Sequence, residues 1–172
     1  MQKIQAHLLG NVVSSNSSEA FSLHSKSHFG EKVSEKIQYS LLEALFLAEN
    51  GKIEISSNNK KIPEKELLKK FQKFDKRINL KYPVFKDLRS KGYVVKTALK
   101  FGADFRVYEK GKKPGEEHAK WVVFTDFESA KLTWHEFSAK NRVAHSTKKN
   151  LLLAIVDEES DVTYYEVKWV KP

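Results

Sequence analysis

The stretch Tyr93-Val94-Val95-Lys96-Thr97, followed after Ala98 by Leu99-Lys100-Phe101-Gly102-Ala103-Asp104-Phe105-Arg106-Val107-Tyr108-Glu109, decides the class of the fold. Its two ends, residues 93–97 and 104–109, are rich in valine and aromatics and read as β-strands. Alternation along the second sends Phe105 and Val107 to one side, and Asp104, Arg106 and Tyr108 to a polar other side. Upstream, Tyr82, Phe85 and Leu88 share the inward side of a helix that ends at Gly92. Downstream, residues 121–125, 151–156 and 162–170 are further strand-like runs. Residues 80–172 are therefore expected to form an α/β domain on a central mixed sheet.

Residues 1–79 read as a separate, smaller α+β domain, which makes the whole chain α+β. Residues 11–30 are rich in Ser, Asn, His and Gly, and the short apolar runs Leu8-Leu9 and Val12-Val13 suit short strands joined by turns. A helix is expected from Ser34 as N-cap, with Ile37, Leu41, Leu45 and Ala48 at helical spacing until Asn50-Gly51. Residues 52–56 alternate like a strand. Pro63 then opens a helix whose Leu67, Phe71, Phe74 and Ile78 share one core-facing side.

A length of 172 residues suffices for one large or two small hydrophobic cores. Lysine and arginine number 31 against 22 acidic residues, a formal charge of +9 that favours a polyanionic partner. Only Arg77, Arg89, Arg106 and Arg142 are arginines, so most of this charge sits on lysines, which attract phosphate without reading bases. A lysine-rich surface of the thermophile kind has the same composition, and charge by itself does not separate the two. The chain has no cysteine, which excludes disulfides, thiolate metal sites and a cysteine nucleophile. With no leader-like segment in residues 1–11 and no apolar run near the roughly 18 residues of a membrane span, a soluble, cytoplasmic protein is expected.

Proton-transfer chemistry points first to histidine. His7, His24 and His28 lie in the Ser/Asn-rich segment and His135 sits between Trp134 and Phe137, all places where structural roles prevail. His118 follows the charged, turn-prone loop of residues 110–117 and precedes the apolar run from Trp121, a junction both exposed and anchored. Tyr108 ends the decisive strand. The basic segment Arg142-Val143-Ala144-His145-Ser146-Thr147-Lys148-Lys149 leads directly into the very apolar residues 151–156.

The run from Tyr93 to Tyr108, with its Gly102-Ala103-Asp104-Phe105 element, resembles the signature of archaeal tRNA-splicing endonucleases. Glu117-His118 and the block from Arg142 to Lys149 match that family's next two motifs in order. The similarity runs from Leu80 to Pro172. In the N-terminal half only the helix around Leu41-Leu42-Glu43-Ala44-Leu45 is similar. The resemblance implies a restriction-endonuclease-like catalytic domain and cleavage of precursor tRNA at bulge-helix-bulge sites, without metal or other cofactor. Tyr108 would be the general base, His118 the general acid and Lys149 the cation that stabilises the transition state. A free tyrosine titrates near about 10, so a cation, Lys149 or Arg106, is needed to favour the phenolate. The resemblance further implies that Arg142 and a second planar group, here Trp169, clamp an unpaired base; the other reading of Trp169 is packing in the core. It also implies a homotetramer, or a heterotetramer with a structural subunit, joined through the acidic turn Asp157, Glu158, Glu159 and Asp161.

Two other classes fit parts of the sequence. A metal-dependent restriction-type nuclease would use Glu166 and Lys168 with Asp157 or Asp161. A non-catalytic RNA-binding subunit would lack part of the set Tyr108, His118 and Lys149, all of which are present.

Overall fold

In β1 (Ile4–Leu9) every second side chain, Ile4, Ala6 and Leu8, is buried, so the strand gives one face to a core and the other to water. The structure is a computed structural model describing residues 2–172, and its contacts divide the chain into two units, Met1–Asn79 and Leu80–Pro172. In the first unit β1 pairs antiparallel with β2 (Val12–Ser15) and parallel with β5 (Ile53–Ser57). Adding β3 (Glu31–Val33), β4 (Lys36–Tyr39) and β6 (Lys60–Lys61) gives a sheet of order β3-β4-β2-β1-β5-β6. The helix α2 (Leu41–Glu49) covers its apolar face, burying Leu42, Ala44, Leu45 and Leu47. Each such leucine contributes about 1.5–3 kcal/mol.

The start of α2 differs from the sequence expectation. Ser34 lies in a left-handed turn (φ 52°), Ile37 is in β4, and the cap is Ser40. Ser40 and Glu43 form a reciprocal capping box, and the other Glu43 oxygen accepts from Gly30 N–H at 3.0 Å. Gly30 has φ 72°, and a Cβ there would stand 2.4 Å from Ile37, so only glycine fits. Local capping and the β4 pairings with β2 and β3 thus override the helical spacing that Ile37 shares with Leu41. Two further expectations are corrected. Residues 18–27 are helix α1 (Ser18–Ser27), capped by Ser17, rather than strand and turn. The Phe-rich helix after Pro63 is two elements, α3 (Glu64–Phe71) and α4 (Ile78–Ser90); Phe74 lies between them and is half-exposed.

In the second unit α4 precedes β7 (Val94–Thr97), β8 (Phe105–Tyr108), β9 (Trp121–Phe127), α5 (Trp134–Ser146), β10 (Asn150–Val156) and β11 (Val162–Val167). The sheet has the order β11-β10-β9-β8-β7, antiparallel except for the parallel pair β9 and β10 that α5 connects. Registers define its two faces. Phe105 and Tyr164 belong to the face under α4, where Phe105 meets Phe85 at 6.0 Å and the Tyr164 hydroxyl donates to Asp87 at 2.7 Å. Val122, Leu151 and Val167 belong to the face under α5, packed with Ala144, Ala98 and Ala103. A sheet covered on both sides needs apolar residues on both, so polar alternation misleads here. Tyr108, expected on a polar face, is only 4 % exposed.

Asp104 does not share that face as an exposed acid. It precedes β8 and is buried, accepting at Oδ2 from Thr125 N–H (2.8 Å) and Thr125 Oγ1 (2.7 Å), with Lys81 Nζ at 4.0 Å from Oδ1. The helix α5 is another feature the sequence reading lacked, although Thr133 and Glu136 spell a capping box. Its helical period is weak because Ala144 is its one buried residue among those described. Replacing Asp104 by Ala removes the acceptor of two Thr125 donors and the carboxylate beside Lys81. The unfolding free energy of the chain is expected to fall by about 2–4 kcal/mol, on the order of one to three kcal/mol per unsatisfied buried group. Urea denaturation measures it, and a loss below about 0.5 kcal/mol would contradict the role.

Candidate active site

Three strand ends meet at one edge of the second sheet. Because β8 is antiparallel to β9 and β9 parallel to β10, the end of β8 and the starts of β9 and β10 lie together. Tyr108 closes β8. Past the paired residues Val107 and Trp121, the Lys120 N–H donates to Val107 O at 2.9 Å, and the Asn150 N–H donates to Lys120 O at 2.9 Å. Tyr108, His118 and Lys149 each lie within two residues of this short ladder. Tyr108 shares the α5 face with Arg106 and Val122, and Lys149, two residues before Leu151, precedes the same face of β10.

Lys149 is positioned by how α5 ends. Thr147 is the C-cap, Lys148 is left-handed (φ 55°), Lys148 N–H donates to His145 O at 3.1 Å and Lys149 N–H to Ala144 O at 2.9 Å. These are the two bonds of a Schellman turn, here without glycine. Its ammonium donates to Thr147 O at 3.0 Å and stands 5.3 Å from the centre of the Phe101 ring. Desolvation first, then the Arg106 charge, holds the Lys149 pKa below its ordinary 10.5.

His118 is exposed, in the irregular segment before β9. Its loop is tied by Glu117 N–H to Lys113 O at 3.1 Å and by the Lys112–Glu117 ion pair, while the next residue, Ala119, is buried. The other candidate pair lies beside Lys149. Arg142 and Trp169 line one open groove of about 450 Å³ with Phe137, Ser138 and Asn141. A neighbouring groove of about 380 Å³ holds Lys149, Lys148 and His145 and shares Asn141 and Trp169. Trp169 is 68 % exposed and meets His145 edge-on at 4.1 Å, so it does not pack in the core. His145 is a groove residue that the sequence reading passed over; its place three residues after Arg142, on the same helix, was the available signal.

Residues 78–164 match the family described as tRNA intron endonuclease, catalytic C-terminal domain, and residues 4–68 match tRNA intron endonuclease, N-terminal domain. The chain belongs to the tRNA intron endonuclease family. It is 44% identical over 166 residues to a tRNA-splicing endonuclease of Thermococcus gammatolerans, covering 96% of this chain and 97% of that protein. A protein of the same description from Nanoarchaeum equitans is 45% identical over 138 residues, covering 77% and 88%, and one from Methanothermobacter thermautotrophicus 39% over 150 residues, covering 87% of each. The likeness includes the N-terminal unit, where sequence reading found one similar helix.

The acids of the metal-nuclease alternative do not converge in this member of the tRNA intron endonuclease family. Glu166, opposite Leu152 near the start of the β10–β11 pair, accepts from Asn150 Nδ2 at 2.6 Å and Trp121 Nε1 at 3.2 Å. Asp157 and Asp161 lie at the far turn, where the Asp157 carboxylate accepts from the N–H groups of Glu159 and Asp161, each at 2.9 Å. Among the described residues no three His, Asp or Glu side chains gather as ligands, and no helix is long and apolar enough to cross a membrane.

The lowered Lys149 pKa has a thermodynamic sign. The unfolded chain holds this proton to higher pH than the folded one, so the group opposes folding at neutral pH. That penalty fades as pH rises through the folded value towards 10.5. Lys149→Met, which keeps the stem over Phe101, is expected to melt at or above the wild-type temperature at pH 7, with the gap closing as pH rises. A variant melting clearly lower at pH 7 would show the ammonium to be stabilising.

Proposed function

We propose that this chain is the catalytic subunit of a tRNA-splicing endonuclease, cutting introns from precursor tRNA at bulge-helix-bulge sites without a metal. The observation that carries the reading is the common sheet edge of Tyr108, His118 and Lys149, in a chain whose relatives are named tRNA-splicing endonucleases. Tyr108 takes the proton of the ribose 2′-hydroxyl as that oxygen attacks the adjacent phosphorus. The bond from phosphorus to the 5′-oxygen breaks, and His118 gives that oxygen a proton. The products are a 2′,3′-cyclic phosphate and a 5′-hydroxyl. Lys149 faces the negative charge that grows on the phosphoryl oxygens, where its cost in the free protein is offset by the substrate. Base and acid each contribute about 10²–10⁴ in rate.

Arg142 and Trp169, exposed on one groove beside Lys149, hold an unpaired base of the bulge between their planes. The turn of Asp157, Glu158, Glu159 and Asp161 repels RNA and instead meets a basic surface on another subunit, in a homotetramer or a heterotetramer with a structural subunit. Two-fold assembly supplies two active sites for a substrate cut twice. Action on precursor tRNA places the protein in the cytoplasm.

Single-turnover cleavage of a bulged precursor should persist in excess EDTA and leave cyclic phosphate ends. Tyr108→Phe, which removes only the hydroxyl, should fall by about 10² or more. Trp169→Ala should cleave more slowly at the same position. Ends carrying a 5′-phosphate, or an unimpaired Tyr108→Phe, would remove this chemistry, and an unimpaired Trp169→Ala would remove the clamp.

Reversing Asp157, Glu158, Glu159 and Asp161 to lysine should break the assembly into smaller species in sedimentation and abolish cleavage. A variant that sediments as the wild type does would show that the turn joins no subunits.

A further inference from the structure

Arg106 carries a charge that none of the described residues answers. It sits in the middle of β8, paired with Lys96 on one side and Val122 on the other, on the α5 face two residues before Tyr108. The side chain is half-buried and its Nε is fully buried without a hydrogen-bond partner. Among the described residues the guanidinium has neither a hydrogen bond nor an ion pair. Its cross-strand neighbour, Lys96, is a buried cation, and like charges facing each other across strands are unfavourable. The nearest acid in sequence, Asp104, is engaged by Thr125 and Lys81. Arg106 is also close enough to Lys149 to make that lysine harder to protonate.

A half-buried arginine with no acceptor disfavours the free protein and is retained where a ligand supplies the acceptor. The ligand must be anionic, because Arg106 and Lys149 already oppose each other. It must also reach the sheet edge where Tyr108 and Lys149 lie. We propose that the outer N–H groups of Arg106 bind the non-bridging oxygens of the scissile phosphodiester, making Arg106 a second phosphate-binding cation beside Lys149. This rests on the reading of that edge as the cleavage site. A planar guanidinium suits the task better than an ammonium, since its parallel N–H groups span two phosphate oxygens and resist rotation as charge builds. The anion also relieves the repulsion between Arg106 and Lys149, so each cation strengthens the hold of the other on the same phosphate.

The test uses the full chain in its native assembly with Arg106→Met, Arg106→Lys and Lys149→Met. Three quantities are read: the single-turnover cleavage rate at saturating enzyme, the melting temperature, and the affinity for a bulged RNA made uncleavable by 2′-deoxy substitution at the cut. Arg106→Met should cleave about 10²-fold slower, in the range lost with one oxyanion donor. It should melt at or above the wild-type temperature, because it removes an unpaired buried group, and should bind the uncleavable RNA with a much smaller change. Arg106→Lys, keeping charge without the fork, should fall between. Arg106→Met within about threefold of the wild-type rate overturns the proposal. So do equal losses in both Arg106 variants accompanied by a lower melting temperature, which would make the arginine structural. If Lys149→Met also cleaves like the wild type, the reading of the edge as the cleavage site has failed; if Lys149→Met is slow while Arg106→Met is not, only the role of Arg106 has failed.

Discussion

The parallel pairing of β9 with β10 is the constraint on which the second unit depends. Two parallel neighbours cannot be joined by a tight turn, so the chain must cross over one face of the sheet, and α5 is that crossover. The crossover has to deliver the chain back to the edge where β9 began. A left-handed residue at Lys148, directly after the Thr147 cap, makes the turn sharp enough for Lys149 to stand two residues past the cap and for Asn150 to bond at once with Lys120. A left-handed conformation costs a residue with a Cβ about 1–2 kcal/mol, and here it is met at the entrance to the candidate site. The antiparallel return of β8 against β9 then brings Tyr108 to the same edge. One pairing choice thus gathers residues about 40 positions apart in the chain.

Polar groups inside this unit fall into two kinds. Asp104 is fully engaged, with two donors from Thr125 and the ion pair with Lys81, and it fixes the start of β8 against β9. Arg106 and Lys149 are the reverse: among the described residues the first has no partner, and the second is held partly out of water near its charge. Apolar replacements at the second kind would suit the folded chain as well or better. Stability and the candidate chemistry therefore draw on different polar residues only a few positions apart. The acidic turn belongs to neither group, since its Asp157 carboxylate organises local backbone while Glu158, Glu159 and Asp161 point to solvent.

Much of the architecture was legible in the sequence. Valine-rich and aromatic runs mark β7 to β11; in the inner strands β8, β9 and β10 this is because both faces are covered and need apolar residues. The candidates Tyr108, His118 and Lys149 were picked out by their order and neighbouring motifs, and Asn50-Gly51 marked the end of α2, since such signals are local. Local signals also misled. Ile37 keeps helical spacing with Leu41, yet strand pairing claims it, and α5 hides because a helix lying on a sheet with one buried alanine needs little apolar periodicity. Tertiary structure alone decided that Tyr108 is buried, that Trp169 stands in solvent against His145, and that the Arg106 charge acts on Lys149 with no counter-charge for Arg106 among the described residues. Burial and charge pairing depend on what the chain brings from a distance, and a one-dimensional pattern records only what each residue prefers among its immediate neighbours.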